Sequence, residues 1–275
     1  MNEDQKSMAA LITERVGLVL PPEKEYLIQT RLAPVLEQFA VPDLRAACDH
    51  MRDDQDFSDA ICDAILTHET TFFRERDALE ALTGPVLHEI ARHRRLAPDE
   101  IALRIWSAGC STGQEPYSIA MQLQRHSPKL AARAKIVATD VSPLALQRGR
   151  AGLYTDFEIQ RGLPEEMREY FEKVPGGLRV IPMLRDRIEF KQHNLVRDPL
   201  LKTFDVIFLR NTVIYFAPPD RARVYGGMGD CLAPDGVLFL GAAENPLGEL
   251  PRGHIVRRHQ RSIYFEFNSS NIKLF

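Results

Sequence analysis

The chain has 275 residues, 44% hydrophobic and 27% charged, with a formal charge of −3. That composition suits one large or two modest globular domains with ample core, and its slightly acidic balance excludes blanket affinity for nucleic acid or an anionic membrane surface. No apolar run approaches the ~20 residues of a bilayer span, and Met1-Asn2-Glu3-Asp4-Gln5-Lys6 lacks the basic-then-apolar layout of a signal peptide. Cys48, Cys62, Cys110 and Cys231 are scattered without a C-x-x-C pair. They read as reduced thiols, not as a disulfide frame or a zinc site, and a cytoplasmic location is expected.

Residues 1 to about 90 read as an all-helical domain. Met8, Leu11, Ile12 and Val16 recur at helical spacing, as do Leu27, Ile28, Leu32, Val35, Leu36 and Phe39. Asp43 is placed to cap a short helix through Met51, and Phe57, Ile61 and Ile65 continue the pattern. Pro21-Pro22 and Val41-Pro42 punctuate these helices. A linker helix is expected from about Glu75 to Arg95, reaching the second domain near residue 100, with a break at Gly84-Pro85. The second domain then takes residues 101–275.

From Arg104 onward, short apolar runs alternate with helical stretches. The runs are residues 103–106, 135–139, 188–191, 204–209, 237–240 and 262–267. That alternation predicts a mostly parallel α/β sheet. Residues 176–190 differ: Gly177-Leu178-Arg179-Val180-Ile181 and Arg187-Ile188-Glu189-Phe190 alternate around a polar turn. They read as a small antiparallel excursion before or overlapping the third main strand.

The strongest local signal lies between Arg104 and Ala120. An apolar strand runs into Ser107-Ala108-Gly109-Cys110-Ser111-Thr112-Gly113-Gln114-Glu115, and a helix starts around Pro116. Strand, small-residue loop and helix N-terminus together present N–H groups and a positive dipole end to a nucleotide-like ligand, although such loops also serve as ordinary turns. Asp140 ends the next strand, where an acid accepts hydrogen bonds from both ribose hydroxyls. It also resembles a helix start, but Ser142 is placed to do that capping. Glu115 suits a cationic amine, or merely the first turn of a helix. His193-Asn194-Leu195 closes the third strand, where an adenine ring would lie, and Arg210-Asn211 closes the fourth. The loop lacks two glycines of G-x-G-x-x-G and the lysine of a Walker loop, and Glu115 would repel phosphate. S-adenosylmethionine, with ribose, adenine, two cationic groups and no phosphate, fits better.

Five blocks carry a family resemblance: Thr70-Thr71-Phe72-Phe73-Arg74-Glu75, the run from Trp106 to Ser118, Ala138-Thr139-Asp140, Arg210-Asn211-Thr212-Val213-Ile214-Tyr215-Phe216 and Ala243-Glu244-Asn245. Together they resemble the chemotaxis receptor glutamate O-methyltransferases, the CheR family, over nearly the whole chain. The resemblance implies an α/β fold, a Rossmann-like S-adenosylmethionine-dependent methyltransferase with a mostly parallel sheet and a small antiparallel β-subdomain. An all-helical N-terminal domain would precede it. It implies that Thr70 and Arg74 meet the methionine part of the cofactor, with Arg74 paired to its carboxylate. Glu115 would take the amine and Asp140 the ribose. Asn194 and Leu195 would frame the adenine, and Arg210 and Asn211 would complete the floor. His68 stands at a cofactor position where the family usually has Asn, and Thr212 stands where it usually has Val. The implied activity is methyl transfer to the γ-carboxylate of glutamates on the cytoplasmic helical domain of chemoreceptors, with S-adenosylhomocysteine as product. The implied protein is a metal-free monomer, with no nucleic-acid partner and no direct membrane insertion.

A glutamate with a pKa of ~4.3 is already ionised, so the transfer needs alignment and water exclusion and no general base. Tyr215 reads either as a donor that aims the acceptor carboxylate or as a buried aromatic at the strand exit. Arg94, within Arg92-His93-Arg94-Arg95, reads either as a guide for the acidic substrate or as a solvated helix end. Arg15, Lys24, Arg31 and Arg45 would meet the acidic receptor face. The rival readings are a cofactor-binding regulatory module without transfer activity and an NAD-dependent oxidoreductase, which the loop disfavours.

Overall fold

The computed structural model describes residues 2–20, 26–201, 203–246, 248–250 and 253–267. Lys24 and the Pro21-Pro22 punctuation lie outside the described residues. Helices α1 (Glu3–Val16), α2 (Tyr26–Gln38), α3 (Leu44–Asp53) and α4 (Gln55–Ile65) form the N-terminal unit. Their apolar stripes meet in a core that includes Met8, Ile12, Ile28, Leu32, Phe57 and Ile61, all fully buried. Asp43 and Asp54 cap α3 and α4 by accepting from Ala46 N (2.8 Å) and Phe57 N (3.0 Å).

The expected linker helix is two helices, α5 (Arg76–Ala81) and α6 (Leu87–Arg94), joined through a kink at Gly84-Pro85. It also belongs to a different core from the one expected. Ala78, Leu79, Leu82, Val86, Leu87 and Ile90 are buried with the strands of the second domain. The helical unit therefore ends near Leu66 and not at residue 90. Periodicity reveals an apolar face but not which core receives it.

The remaining elements are β1 (Arg104–Ala108), α7 (Gln114–His126), α8 (Pro128–Arg133), β2 (Lys135–Asp140), α9 (Pro143–Ala151), β3 (Leu153–Tyr154), α10 (Asp156–Gln160), β4 (Phe171–Val174), β5 (Gly177–Val180) and α11 (Pro182–Arg185). They continue with β6 (Ile188–Gln192), β7 (Phe204–Leu209), α12 (Pro218–Cys231), β8 (Leu232–Leu240), β9 (His254–His259) and β10 (Ser262–Phe267). The main sheet has the order β6-β2-β1-β7-β8-β10-β9, parallel from β6 through β8, with β10 and β9 antiparallel. Strand β7 is buried at every residue, as a strand covered on both faces must be. The winding reverses between β1 and β7, so the C-terminal ends of β1, β2 and β7 open onto one crevice.

The antiparallel excursion exists but lies earlier than expected. Its sheet has the order β3-β5-β4 and uses residues from Leu153 to Val180. Ile188, Glu189 and Phe190 belong instead to β6, which pairs in parallel with β2. An edge strand with one wet face alternates just as a hairpin arm does, and this misplaced the boundary. No helix among the described residues is long and apolar enough to cross a membrane.

Arg94 requires a correction. Its guanidinium binds Asp235 with two hydrogen bonds, 2.8 and 2.9 Å, and also binds Asp205. Asp205 sits at the start of β7, the opposite end from the crevice. Arg94 is thus neither a guide at the crevice nor a solvated helix end. It clamps the C-terminus of α6 to the bottom of the sheet. Asp205 and Asp235 side chains are only 10% and 15% exposed, so removing the cation strands two carboxylates. Arg94→Ala should lower unfolding stability by about 2–4 kcal/mol in urea, less than a fully buried pair because the guanidinium is partly wet. Ligand affinity at the crevice should be unchanged in the folded mutant.

Candidate active site

Ten of the expected residues line one cleft at the strand ends: His68, Thr70, Arg74, Glu115, Asp140, Asn194, Leu195, Arg210, Asn211 and Tyr215. The cleft encloses about 1010 Å³, its open mouth included. Val16, Leu18 and Leu66 from the helical unit and Val141 and Phe216 from the loops after β2 and β7 give it apolar walls.

The β1 loop is held tightly. Gly109 has φ +79°, and its N–H and that of Cys110 both donate to Thr139 O at 2.8 Å. A methyl group at Gly109 would overlap the Thr212 hydroxyl, so glycine lets the β1 and β7 loops touch. Ser111 N donates to Asp140 Oδ2 (2.8 Å) and Ser142 N to Asp140 Oδ1 (3.0 Å). The cap of α9 is Ser142, which accepts from Ala145 N at 2.9 Å. Asp140 therefore orders the loop, and each oxygen keeps further acceptor capacity for a ligand hydroxyl. Burial pushes its carboxyl above the usual range, against the pull of those N–H bonds.

Arg210 organises the opposite wall. Its side chain is 2% exposed. Nη1 donates to Glu115 Oε2 (3.1 Å) and Nη2 to Arg74 O (2.6 Å), while Nη2 also lies 3.2 Å from Glu75 Oε2. Its Nε–H is buried without a protein partner. Glu115 further accepts from Ser107 Oγ at 2.7 Å. Burial raises the Glu115 carboxyl, and the Arg210 charge and the Ser107 hydroxyl work against that rise. Glu115 is thus a cleft carboxylate and more than a helix-end charge. The Thr70–Arg74 segment is anchored by Phe73 N, which donates to Ser118 Oγ at 2.9 Å. Arg74 itself reaches out to Glu69 O at 3.1 Å.

Two groups drew no role from the sequence. Glu75 pairs with Arg210 and accepts from Ala242 N at 3.2 Å. His193 is 7% exposed, and its Nδ1 is buried without a partner while Nε2 lies 3.1 Å from Pro199 O. The acidic residue inside Thr70–Glu75 and the polar residue closing β6 were the available signals.

The helical unit closes the cleft. Asn194 Nδ2 donates to Arg15 O (2.5 Å), and its Oδ1 accepts from Val196 N (2.9 Å) and Arg197 N (3.2 Å). Its amide is therefore engaged at the domain boundary, which leaves chiefly its backbone for the cleft wall. Leu18 bridges to Phe216, and Val19 N donates to Tyr215 O at 2.9 Å. His68 Nε2 lies 3.1 Å from Asp63 Oδ1, and Asp63 in turn accepts from the Ser142 hydroxyl. Burial opposes the charged ring, but Asp63 and, behind it, Asp140 outweigh it and raise the His68 pKa. Burial also opposes the Asp63 carboxylate, yet its bonds from His68 and Ser142 hold it below its ordinary value.

Among the described residues no group of three or more His, Cys, Asp or Glu side chains is placed to hold a metal ion. All four cysteines are buried, and none is joined in a disulfide.

The His68–Asp63 bridge has a pH window. The folded His68 pKa is raised, so its stabilisation is full below the unfolded value of about 6.5 and is lost as pH rises through the folded value. The depressed Asp63 closes the window as pH falls below about 4. His68→Asn should therefore cost roughly 1 kcal/mol near pH 6 and progressively less as pH rises through the folded His68 value, measured by denaturant melts at each pH.

This geometry has relatives. The CheR methyltransferase all-alpha domain matches residues 3–66, and the CheR methyltransferase SAM binding domain matches residues 68–255. A chemotaxis protein methyltransferase of Vibrio parahaemolyticus is 34% identical over 274 residues, covering 96% of each chain. Chemotaxis protein methyltransferase 1 of Pseudomonas aeruginosa is 36% identical over 258 residues, covering 91% of this chain and 92% of its own. The chemotaxis protein methyltransferase of Salmonella typhimurium is 33% identical over 248 residues, covering 87% and 83%. Two domain matches that meet where the α4 core ends, and relatives similar along almost the whole length, mean that this chain belongs to the CheR family of S-adenosylmethionine-binding methyltransferases.

Proposed function

We propose that the chain transfers a methyl group from S-adenosylmethionine to the γ-carboxylate of glutamates on the cytoplasmic helical domain of chemoreceptors, giving methyl esters. The observation that carries the reading is the sharing of one cleft by Glu115, Asp140 and the strand-end run Arg210-Asn211 to Tyr215. The names of the relatives support the chemotaxis context. We infer a cytoplasmic, monomeric enzyme, since its acceptor would be the cytoplasmic part of the receptor.

The donor set fits the cofactor. Carboxylates at Glu115 and Asp140 suit an ammonium and a ribose diol, Arg74 suits a carboxylate, and apolar walls at Val141 and Leu195 suit a purine. Thr70 and His68 complete the linker side, and Asn211 continues the floor from Arg210. When bound, S-adenosylmethionine supplies a methyl group activated on a cationic sulfonium. The protein's own part is alignment. Tyr215, half-buried in the turn Val213–Tyr215, donates its hydroxyl to the acceptor carboxylate and covers the methyl path with its ring. No base is needed, because the acceptor is already an anion.

The test is transfer of radiolabelled methyl to receptor-bearing membranes. Expected is label that alkali releases as methanol, the behaviour of a carboxyl ester. Tyr215→Phe should lower saturated turnover roughly ten- to a hundredfold while cofactor affinity stays unchanged. Tight cofactor binding with no transfer to any receptor would favour a regulatory module instead. Full turnover in Tyr215→Phe would make the ring a packing group.

A further inference from the structure

Glu244 lies in the loop after β8, behind the turn that leads from Asn211 to Tyr215, and is not among the residues lining the cleft. Its Oε1 accepts from Thr212 N at 2.9 Å and its Oε2 from Gly241 N at 2.7 Å. The Asn211 backbone also bonds this carboxylate. Asn211 holds φ +55°, a left-handed conformation that non-glycine residues seldom adopt. Successive N–H groups in such a turn converge into an anion-binding concavity, and Glu244 fills it. Gly241 shows how closely the parts fit. A methyl there would overlap Glu244 Oε2 and come within 2.7 Å of Asn211 Nδ2.

Besides the bond from Val19 N to Tyr215 O, the segment 210–215 thus has two separate anchors built on carboxylates. Arg210 is held by Glu115, Glu75 and the Arg74 carbonyl. Asn211 and Thr212, and through them the Tyr215 turn, are held by Glu244.

We propose that Glu244 is a positioning residue for the methyl acceptor: its carboxylate fixes the left-handed turn at Asn211 and so aims the Tyr215 end of the cleft. The deep cofactor floor at Arg210 keeps its own anchors, and Asn211 stands between the two ends. The proposal rests on the reading of Tyr215 as an acceptor-side group. A carboxylate is required because three N–H groups converge on it. An amide in its place offers one acceptor oxygen and turns an NH₂ against an N–H.

Two variants of the full chain perturb this contact independently. Glu244→Gln keeps the shape and removes the charge. Glu244→Asp keeps the charge and withdraws the carboxylate by one methylene from Thr212 N and Gly241 N. Three quantities are read on each: S-adenosylhomocysteine affinity by calorimetry, kcat and KM for receptor-bearing membranes at saturating cofactor, and backbone hydrogen exchange. Both variants should lose kcat by about ten- to a hundredfold, the scale of a small misalignment. Product affinity should stay within about threefold of wild type. Exchange should quicken at residues 211–216 and not at residues 73–75. Unchanged kcat with unchanged exchange would overturn the proposal. A parallel loss of product affinity would also overturn it, because Glu244 would then support the whole cleft. If the wild type labels no receptor, the glutamate-methylation reading fails, and the exchange result alone decides for or against Glu244.

Discussion

One buried guanidinium holds this site together. Arg210 directly follows the fully buried strand β7 and ties it to two other parts of the chain: Glu115 at the start of α7, and Glu75 and the Arg74 carbonyl on the segment between the domains. A charge this deep is tolerated only when paired and hydrogen-bonded. Here Glu75 and Glu115 share the Arg210 guanidinium, with Arg74 as a second cation in the cleft. Burial raises the Glu115 carboxyl, the Glu75 charge adds to that rise, and Arg210, Ser107 and Arg74 pull against it, so a ligand cation beside Glu115 is favoured. A phosphate-bearing dinucleotide would meet the wrong sign.

The helical unit is part of the cleft wall and not an appendage. The last turn of α1 leaves carbonyls without intrahelical partners, and the other domain satisfies them. Asn194 donates to Arg15 O and Arg197 to Glu14 O. The Leu18–Phe216 bridge and the His68–Asp63–Ser142 chain close two further sides. Any motion of the helical unit against the sheet therefore alters the Asp140 corner of the cleft, through Ser142, and the Tyr215 turn, through Val19.

What the sequence disclosed was local chemistry with a fixed period or position. The apolar run of β7, the small-residue loop after β1, the acid at the tip of β2 and the Asp43 cap were all legible because each depends on near neighbours. What stayed hidden depends on distant partners. Arg94 looked like a free helix-end cation because Asp205 and Asp235 lie more than a hundred residues away in sequence. Helices α5 and α6 showed an apolar face but not the sheet it covers. Strand β9 escaped notice because an edge strand rich in Arg and His carries a weak apolar signal. Asn194 was readable as a cleft residue, yet its amide serves the domain boundary.

The most direct test of the Arg210-centred cleft is calorimetric titration of Arg210→Lys with S-adenosylhomocysteine. Lysine keeps the charge but cannot span Glu115 on one side and the Arg74–Glu75 segment on the other. The expected result is a folded protein whose affinity falls at least about tenfold, the loss of roughly one charge-assisted contact. Wild-type affinity in a folded Arg210→Lys chain would contradict it, because the cleft would then assemble without the fork.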